Sequence, residues 1–400
     1  MRRAFVDDVS LTRRKLAKVA GSVLIAISAA SCNIGGFSLG GGSETPSVPP
    51  PSPNAPTVGQ TLGTGPTRVG LILPLTQNGQ PFAVGASMRN AAELAVDESG
   101  GSDITVMIAD THATPDGAAA AAQSVIGAGA QIVFGPLFAA EVRQAGGVAR
   151  GAGRPLIAFS TDASVAQPGV YLLSFLNEGY VNRIMDFAVS RGKKSFAAMI
   201  PQSDYGDVVA AAFDQAAARL GVKVVTVARY APGQAASGAR DIAAAGQFDA
   251  LFVPEQADGM GAVADALAQA GVKTQLLGTG VWNDPRLLSH ANLEGAWFAA
   301  PENAGFSAFA KRYQAKFNNA PTRLATLAYD AISLAAGLAR KYGASPYSER
   351  TLTDPSGFIG ADGVFRFQTD GLNERGLAVL QVSGGKATVI SPAPRSFAGG

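Results

Sequence analysis

The sequence predicts an α/β protein whose folded part divides into two lobes, each built on a parallel sheet. Three observations carry this. Short apolar runs rich in branched residues alternate with Ala-rich helical stretches, and the alternation restarts after Asn177. A chain of 400 residues also exceeds one ordinary domain. The composition, 47% hydrophobic with 48 glycines, suits a packed protein with many strand-to-helix turns.

The first 31 residues read as an export address. Arg13, Arg14, Lys15 and Lys18 form a basic segment, and Val19 to Ala30 is apolar. That stretch is shorter than the ~20 residues a membrane-crossing helix needs. Ala29, Ala30 and Ser31 then precede Cys32, the single cysteine, so no intrachain disulfide forms. Small residues before a cysteine resemble the bacterial lipobox, with Ala29 where leucine is usual, which makes Cys32 the expected site of lipidation. Thr12 to Leu16 also resembles a twin-arginine export signal. Residues 32–66 carry Gly40-Gly41-Gly42 and Pro49-Pro50-Pro51, a Gly/Pro-rich linker that buries no apolar surface. The expected location is the periplasm, tethered to the inner or outer membrane by the lipid alone.

Formal net charge is +2, but the leader holds six basic and two acidic residues, so the remainder carries −2. So neutral a body lacks the basic face that nucleic acid requires.

In the head, Arg68 to Pro74 is a strand buried on both faces, followed by a helix from about Val84 to Glu98. Ile104 to Ala109 is the next strand, and Pro115 opens a helix that stops near Gly127. Gln131 to Phe134 and Leu156 to Phe159 continue the pattern. After Asn177, expected to cap a helix beginning near Glu178, the strands are Phe196–Ile200, Val222–Val227, Ala250–Val253 and Gln275–Leu277. Tyr205–Leu220 and Gly259–Ala270 are the intervening helices. Such spacing demands right-handed crossovers and parallel pairing. Thr76, Asp110, Ser160, Ser203, Glu255 and Thr279 fall at strand carboxyl ends, where open parallel sheets bind ligands.

The segments VGLILPLT (Val69–Thr76), GAQIVFGPL (Gly129–Leu137), PLIAFSTDAS (Pro155–Ser164), SDYG (Ser203–Gly206) and AYDAISLA (Ala328–Ala335) occur in the order seen in type I periplasmic binding proteins. The resemblance, to the leucine/isoleucine/valine-binding branch, covers about residues 67–392. It implies two Rossmann-like lobes joined by a three-strand hinge and closing on a ligand. It divides the head into 67–176 plus 301–351 for the first lobe and 177–300 plus 352–392 for the second, leaving 393–400 as a tail.

Carried over residue by residue, Ser164 falls on the carboxylate-binding threonine, with Ala163 supplying backbone, and Tyr205 on the lid tyrosine. The serine expected after Leu137 is Ala139, and the acid expected after Gly278 is Gly280. An ammonium group buried without a counter-charge is costly, so Glu255, Asp258 or Asp284 is expected to substitute, with Trp282 as an aromatic wall. Thr76 and Ser160 complete the candidate ligand-binding set. Asp110-Thr111, Gly135-Pro136-Leu137 and GTGVWNDP (Gly278–Pro285) also resemble lipoprotein activators of penicillin-binding proteins.

No catalytic machinery is expected. His112 and His290, the only histidines, fall in separate halves without cysteine partners, so no metal site or cofactor is expected. Ser190-Arg191-Gly192-Lys193 spells S-x-x-K, but Gly192 breaks the helix that would align Ser with Lys. The expected partners are therefore a small polar or amino-acid-like ligand and the membrane subunits of an ABC importer. The alternative is a penicillin-binding protein regulated by a tethered lipoprotein whose cleft is vestigial.

Overall fold

The computed structural model describes residues 59–397. The leader, Cys32 and most of the linker lie outside the described residues. Among those described, no helix is long and apolar enough to cross a membrane.

The first lobe begins with β1 (Gln60–Leu62), β2 (Thr67–Leu73), a small ribbon of β3 (Thr76–Gln77) and β4 (Gln80–Pro81), and α1 (Ala83–Glu98). It continues through β5 (Ile104–Asp110), α2 (Pro115–Gly127), β6 (Val133–Phe134), α3 (Ala139–Gly151), β7 (Leu156–Ala158) and β8 (Val170–Leu172). The sheet runs β1-β5-β2-β6-β7-β8, parallel except for β1. Helices cover both faces, which is why β2 reads as a continuous apolar run rather than an alternating one. Val69, Leu71 and Leu73 share a core with α1, whereas Ile72 packs with Ala118, Ala121 and Val125 of α2. At Gly70 a β-carbon would stand 2.5 Å from Val125, so glycine lets α2 lie close on the strand.

The second lobe starts with α4 (Asn177–Ser190) and β9 (Ser195–Pro201), then α5 (Asp204–Leu220), β10 (Lys223–Tyr230), α6 (Ala235–Ala244) and β11 (Ala250–Phe252). α7 (Ala257–Gln269), β12 (Gln275–Gly278), α8 (Pro285–Leu288) and β13 (Trp297–Ala300) follow. Asn177 does not cap α4: it is the first helical residue, Leu176 holds the cap position, and no side chain caps the helix there. Ser190 ends α4 and donates to the Phe187 carbonyl at 2.7 Å, with Gly192 just beyond at φ +84°. The S-x-x-K string is thus a helix terminus.

The chain then supplies α9 (Asn303–Phe317), α10 (Ala325–Tyr342), α11 (Glu349–Leu352) and an antiparallel sheet of β14 (Phe358–Gly360), β15 (Gly363–Phe367) and β16 (Asn373–Arg375). β17 (Ala378–Ser383) and β18 (Lys386–Ser391) complete the second sheet, ordered β10-β9-β11-β12-β13-β17-β18. Residues 352–367 were expected in the second lobe, but they pack on the first. Leu352, Phe365 and Phe367 share the core of β2 and α10, and Phe367 lies 5.6 Å from Tyr171 between ring centroids. Aromatic burial against α10 and β8 keeps this segment there, and the last passage to the second lobe comes just before β17.

Candidate functional site

Because both sheets are largely parallel, their strand tips gather on one edge, and side chains from the two lobes line a common groove of ≈ 570 Å³. The first lobe contributes Asp162, Ala163 and Ser164, α4 contributes Glu178, and α5 contributes Asp204 and Tyr205. The loop after β7 owes its shape to Asp162, whose Oδ1 accepts from the Ser164 amide at 2.9 Å, while the Asp162 amide donates to Ser160 Oγ at 3.1 Å. Across the groove, Ser203 caps α5 by accepting from the Gly206 amide at 3.1 Å, which fixes Asp204 and Tyr205 in the first turn.

Tyr205 is held from behind. Its hydroxyl lies 2.8 Å from Oγ1 of the buried Thr279. Burial pushes the Tyr205 phenol up to about 12, against the opposing pull of the Thr279 hydrogen bond. The ring therefore faces the groove as a neutral wall.

Ala163, Ser164 and Tyr205 are the candidate residues that the structure brings together in this groove. Thr76, Ser160, Glu255 and Trp282 are engaged elsewhere. Thr76 Oγ1 donates to Asp110 Oδ2 at 2.6 Å and meets His112 Nδ1 at 2.8 Å. Asp110 Oδ1 also accepts from the amides of Leu75, Thr76 and His112. Burial pushes the Asp110 carboxyl up, yet the bonds from Thr76 and His112 outweigh it and hold the group below its usual range. With the hydroxyl proton committed to Asp110, this trio braces the tips of β2 and β5 and presents no activated nucleophile.

Ser160 is buried and spends its oxygen on Asp162. Glu255 accepts from the Tyr230 hydroxyl and from the Gln256 amide. Trp282 was expected as an aromatic wall of the cleft, but it is fully buried in the core of the second lobe with Leu251, Val253 and Phe298. Its indole lies against Gly278, where a β-carbon would stand 2.2 Å from Cδ2.

The two remaining acids proposed to replace the one missing at position 280 are also taken. Arg286 binds Asp258 at 2.6 Å and Asp284 at 2.7 Å, and its hydrogen bonds hold the Asp284 carboxyl below its usual range. At Gly280 itself, Tyr180 from α4 occupies the adjacent space.

The wall residues that sequence reasoning missed include three acids, Asp162, Glu178 and Asp204, among neutral ones such as Asn177, Val208 and Gln215. Two of the acids sat inside motifs already singled out, beside Ala163 and Tyr205. No lysine or arginine lines the groove; Arg143 reaches Asp162 at 3.3 Å from outside the lining. Among the described residues no cluster of three metal-ligating side chains occurs.

Beside the hinge lies a charged cluster in which Asp330 and Asp362 are buried and Arg323 reaches in from the surface. Arg323 binds Asp362 through two bonds of 2.8 and 2.7 Å and lies over the rings of Phe175 and Phe306. Arg375 donates Nε to the Ser174 carbonyl at 3.0 Å, while its terminal nitrogens are buried without hydrogen-bond partners. Asp330 accepts from the Ala361 amide at 2.6 Å, and its other oxygen is unpartnered. Burial, partly offset by Arg375, pushes the Asp330 carboxyl up to about 7.

Comparison with known proteins agrees with this architecture. A family model described as periplasmic binding protein matches residues 66–387. No curated protein is detectably similar in sequence. Among solved structures, a putative branched-chain amino acid ABC transporter from Rhodospirillum rubrum is 20% identical with a TM-score of 0.71, covering 81% of this chain and 99% of its own. The substrate-binding protein LivJ of Streptococcus pneumoniae, in complex with isoleucine, is 22% identical with a TM-score of 0.56, covering 82% and 99%. A solute-binding protein of Rhodopseudomonas palustris, in complex with 3,4-dihydroxybenzoic acid, is 21% identical with a TM-score of 0.57, covering 82% and 98%. At these identities the likeness establishes the fold alone. Together with the family match over most of its length, it shows that the chain belongs to the periplasmic binding protein family.

Proposed function

We propose that this protein is a non-catalytic, exported lipoprotein that captures a small polar solute between its lobes and presents it to the membrane subunits of an ABC importer. The observation that carries the reading is the groove lined from both lobes, with Ala163 and Ser164 facing Tyr205. A ligand touching both walls favours the closed arrangement over the open one, a population shift driven by its differential affinity. Cys32, outside the described residues, is the proposed lipid attachment site, and the linker after it gives the head reach above the membrane.

A thermal-shift screen of polar solutes against the purified chain tests capture. A ligand at one hundred times its Kd adds about 2.7 kcal/mol to stability, a rise in Tm that is simple to detect. Silence across the screen counts against the reading. Cys32→Ser is expected to move the protein from the membrane fraction to the soluble one.

A second reading, a tethered regulator of a penicillin-binding protein, is favoured by the occupied space at Gly280, where the family's ammonium-binding acid is missing. It predicts that the pure chain changes the rate of the synthase with no solute present.

A further inference from the structure

At the hinge an acid and a guanidinium face each other, each with hydrogen-bonding capacity unspent. Asp330, on α10 of the first lobe, is 2% exposed. One of its oxygens accepts from the Ala361 amide at 2.6 Å, and the other has no partner. Arg375 ends β16, where the chain leaves for the second lobe. Its terminal nitrogens are buried and unpartnered, and the guanidinium lies 4.7 and 5.4 Å from the ring centroids of Phe175 and Phe365. Burial raises the Asp330 carboxyl, and of the charges that pull it back Arg375 is the foremost.

The other groups around the pair are spent. Asp362 takes both bonds from Arg323, which leaves Arg375 without an acid of its own. Tyr180 of α4 faces the same cluster as a phenol kept neutral by burial. Glu98 and Arg312, from α1 and α9, are bound to each other and to Tyr329. Among the described residues, Asp330 is the acid left for Arg375.

Arg375 is also built into the path between the lobes. The Ser174 carbonyl, in the first passage, accepts from Arg375 Nε at 3.0 Å and from Asn373 at 2.9 Å, so two passages are tied at one atom. Two residues on, the Leu377 carbonyl accepts from Arg183 of α4 at 2.8 Å, which fastens the same segment to the second lobe. Movement of Arg375 therefore moves the strands about which the lobes turn. Ionised in place, Asp330 would keep one hydrogen bond and no counter-ion, a costly state that the guanidinium relieves by turning towards it.

We infer that Asp330 and Arg375 form a proton-controlled catch in the hinge. With Asp330 protonated, the lobes keep the present arrangement. When its proton passes to solvent, Arg375 leaves Ser174 for the carboxylate and the lobes shift. The catch works with or without solute, so it stands apart from the capture reading.

The test is a pulsed electron-spin distance measurement on the full chain carrying Cys32→Ser. Spin labels go on Asp116→Cys in the first lobe and Gln256→Cys in the second, both exposed positions. At about pH 5 and about pH 8, either side of the Asp330 value of about 7, the label distance is expected to differ by more than about 2 Å. Asp330→Asn should hold the acid-form distance at both. Arg375→Met, which takes away the guanidinium, should also abolish the shift, and it serves where Asp330→Asn does not fold. Glu141→Gln, which neutralises a buried acid on α3 bound to Thr111, is the control and should keep the shift. An unchanged distance in the labelled parent overturns the inference. So does a shift that survives in folded Asp330→Asn or Arg375→Met, or one lost in Glu141→Gln as well, which would mark a general response to acid.

Discussion

The ring of Tyr180 lies against Gly280 so closely that a β-carbon there would stand 2.7 Å from Cε1 and Cζ of the tyrosine. Two elements of the second lobe, α4 and the turn after β12, are therefore docked through an absent side chain. Burial raises the Tyr180 phenol above its usual range, so the ring stays neutral in this position.

The contact predicts a directional cost. Gly280→Ala is expected to destabilise the protein by about 1–3 kcal/mol, the range for overpacking a filled site. In a Tyr180→Leu background the same change should cost under about 0.5 kcal/mol, because the clashing atoms are gone. Urea denaturation of the four proteins measures both, and additive costs would show that the ring does not set the requirement for glycine.

A second prediction concerns Tyr205 and Thr279. Tyr205→Phe leaves the buried Thr279 hydroxyl without its partner at 2.8 Å. The expected loss is about 1–3 kcal/mol. Adding Thr279→Val removes the orphan and should recover most of it, since replacing both partners with apolar groups is nearly neutral. A double variant as unstable as the sum of the singles would refute the pairing.

The hinge cluster makes stability depend on pH. The Asp330 carboxyl titrates at about 7 in the folded protein against 3.8 ordinarily. Between these values the native state keeps a proton that the unfolded chain has released. Stability from this group is therefore full at low pH, falls as pH rises through the window, and is gone above 7, a difference on the order of 4 kcal/mol. Glu141, whose carboxyl burial also raises despite bonds from Thr111 and Phe138, acts with the same sign. Asp110, held low, acts with the opposite sign and only in stronger acid. The wild-type Tm is expected to rise on acidification from pH 8 to pH 5, and Asp330→Asn should flatten that slope. Parallel Tm profiles for the two proteins would remove Asp330 as the cause.

How much of this was legible in the sequence follows from where each signal resides. The strand expected from Arg68 to Pro74 is Thr67–Leu73, because a run buried on both faces announces itself without any partner. β8 and β14, three residues each, are too short to show a period despite their strand-favouring residues, and they exist through pairing with β7 and β15. Phe365 and Phe367 are as apolar in one lobe as in the other, so their address depended on which surface lay within reach. The site followed the same rule. Ala163, Ser164 and Tyr205 sat in recognisable motifs, whereas Glu178 sat in none and joins Tyr205 through the packing of α4 on α5. Trp282 misled because a tryptophan in a polar turn has the sequence signature of a cleft wall, and Gly278, which lets it fold inward, was read as part of the motif.

That inward fold yields the last prediction. The indole is wholly buried over Gly278, with its Nε1 unpartnered among apolar neighbours. If Trp282 is core rather than cleft, its substitution should act on stability and leave binding alone. Trp282→Ala is expected to cost about 3–5 kcal/mol. Trp282→Phe should cost less, because the smaller ring fills most of the space and leaves no buried donor unsatisfied. Gly278→Ala, which drives a β-carbon into the indole, should destabilise the wild type more than the Trp282→Phe variant, so the pair couples as Tyr180 and Gly280 do. Measured beside a bound solute, Trp282→Phe should keep the wild-type affinity within about 2-fold, as expected for a residue that touches no ligand. A tenfold loss of affinity with unchanged stability would return Trp282 to the cleft.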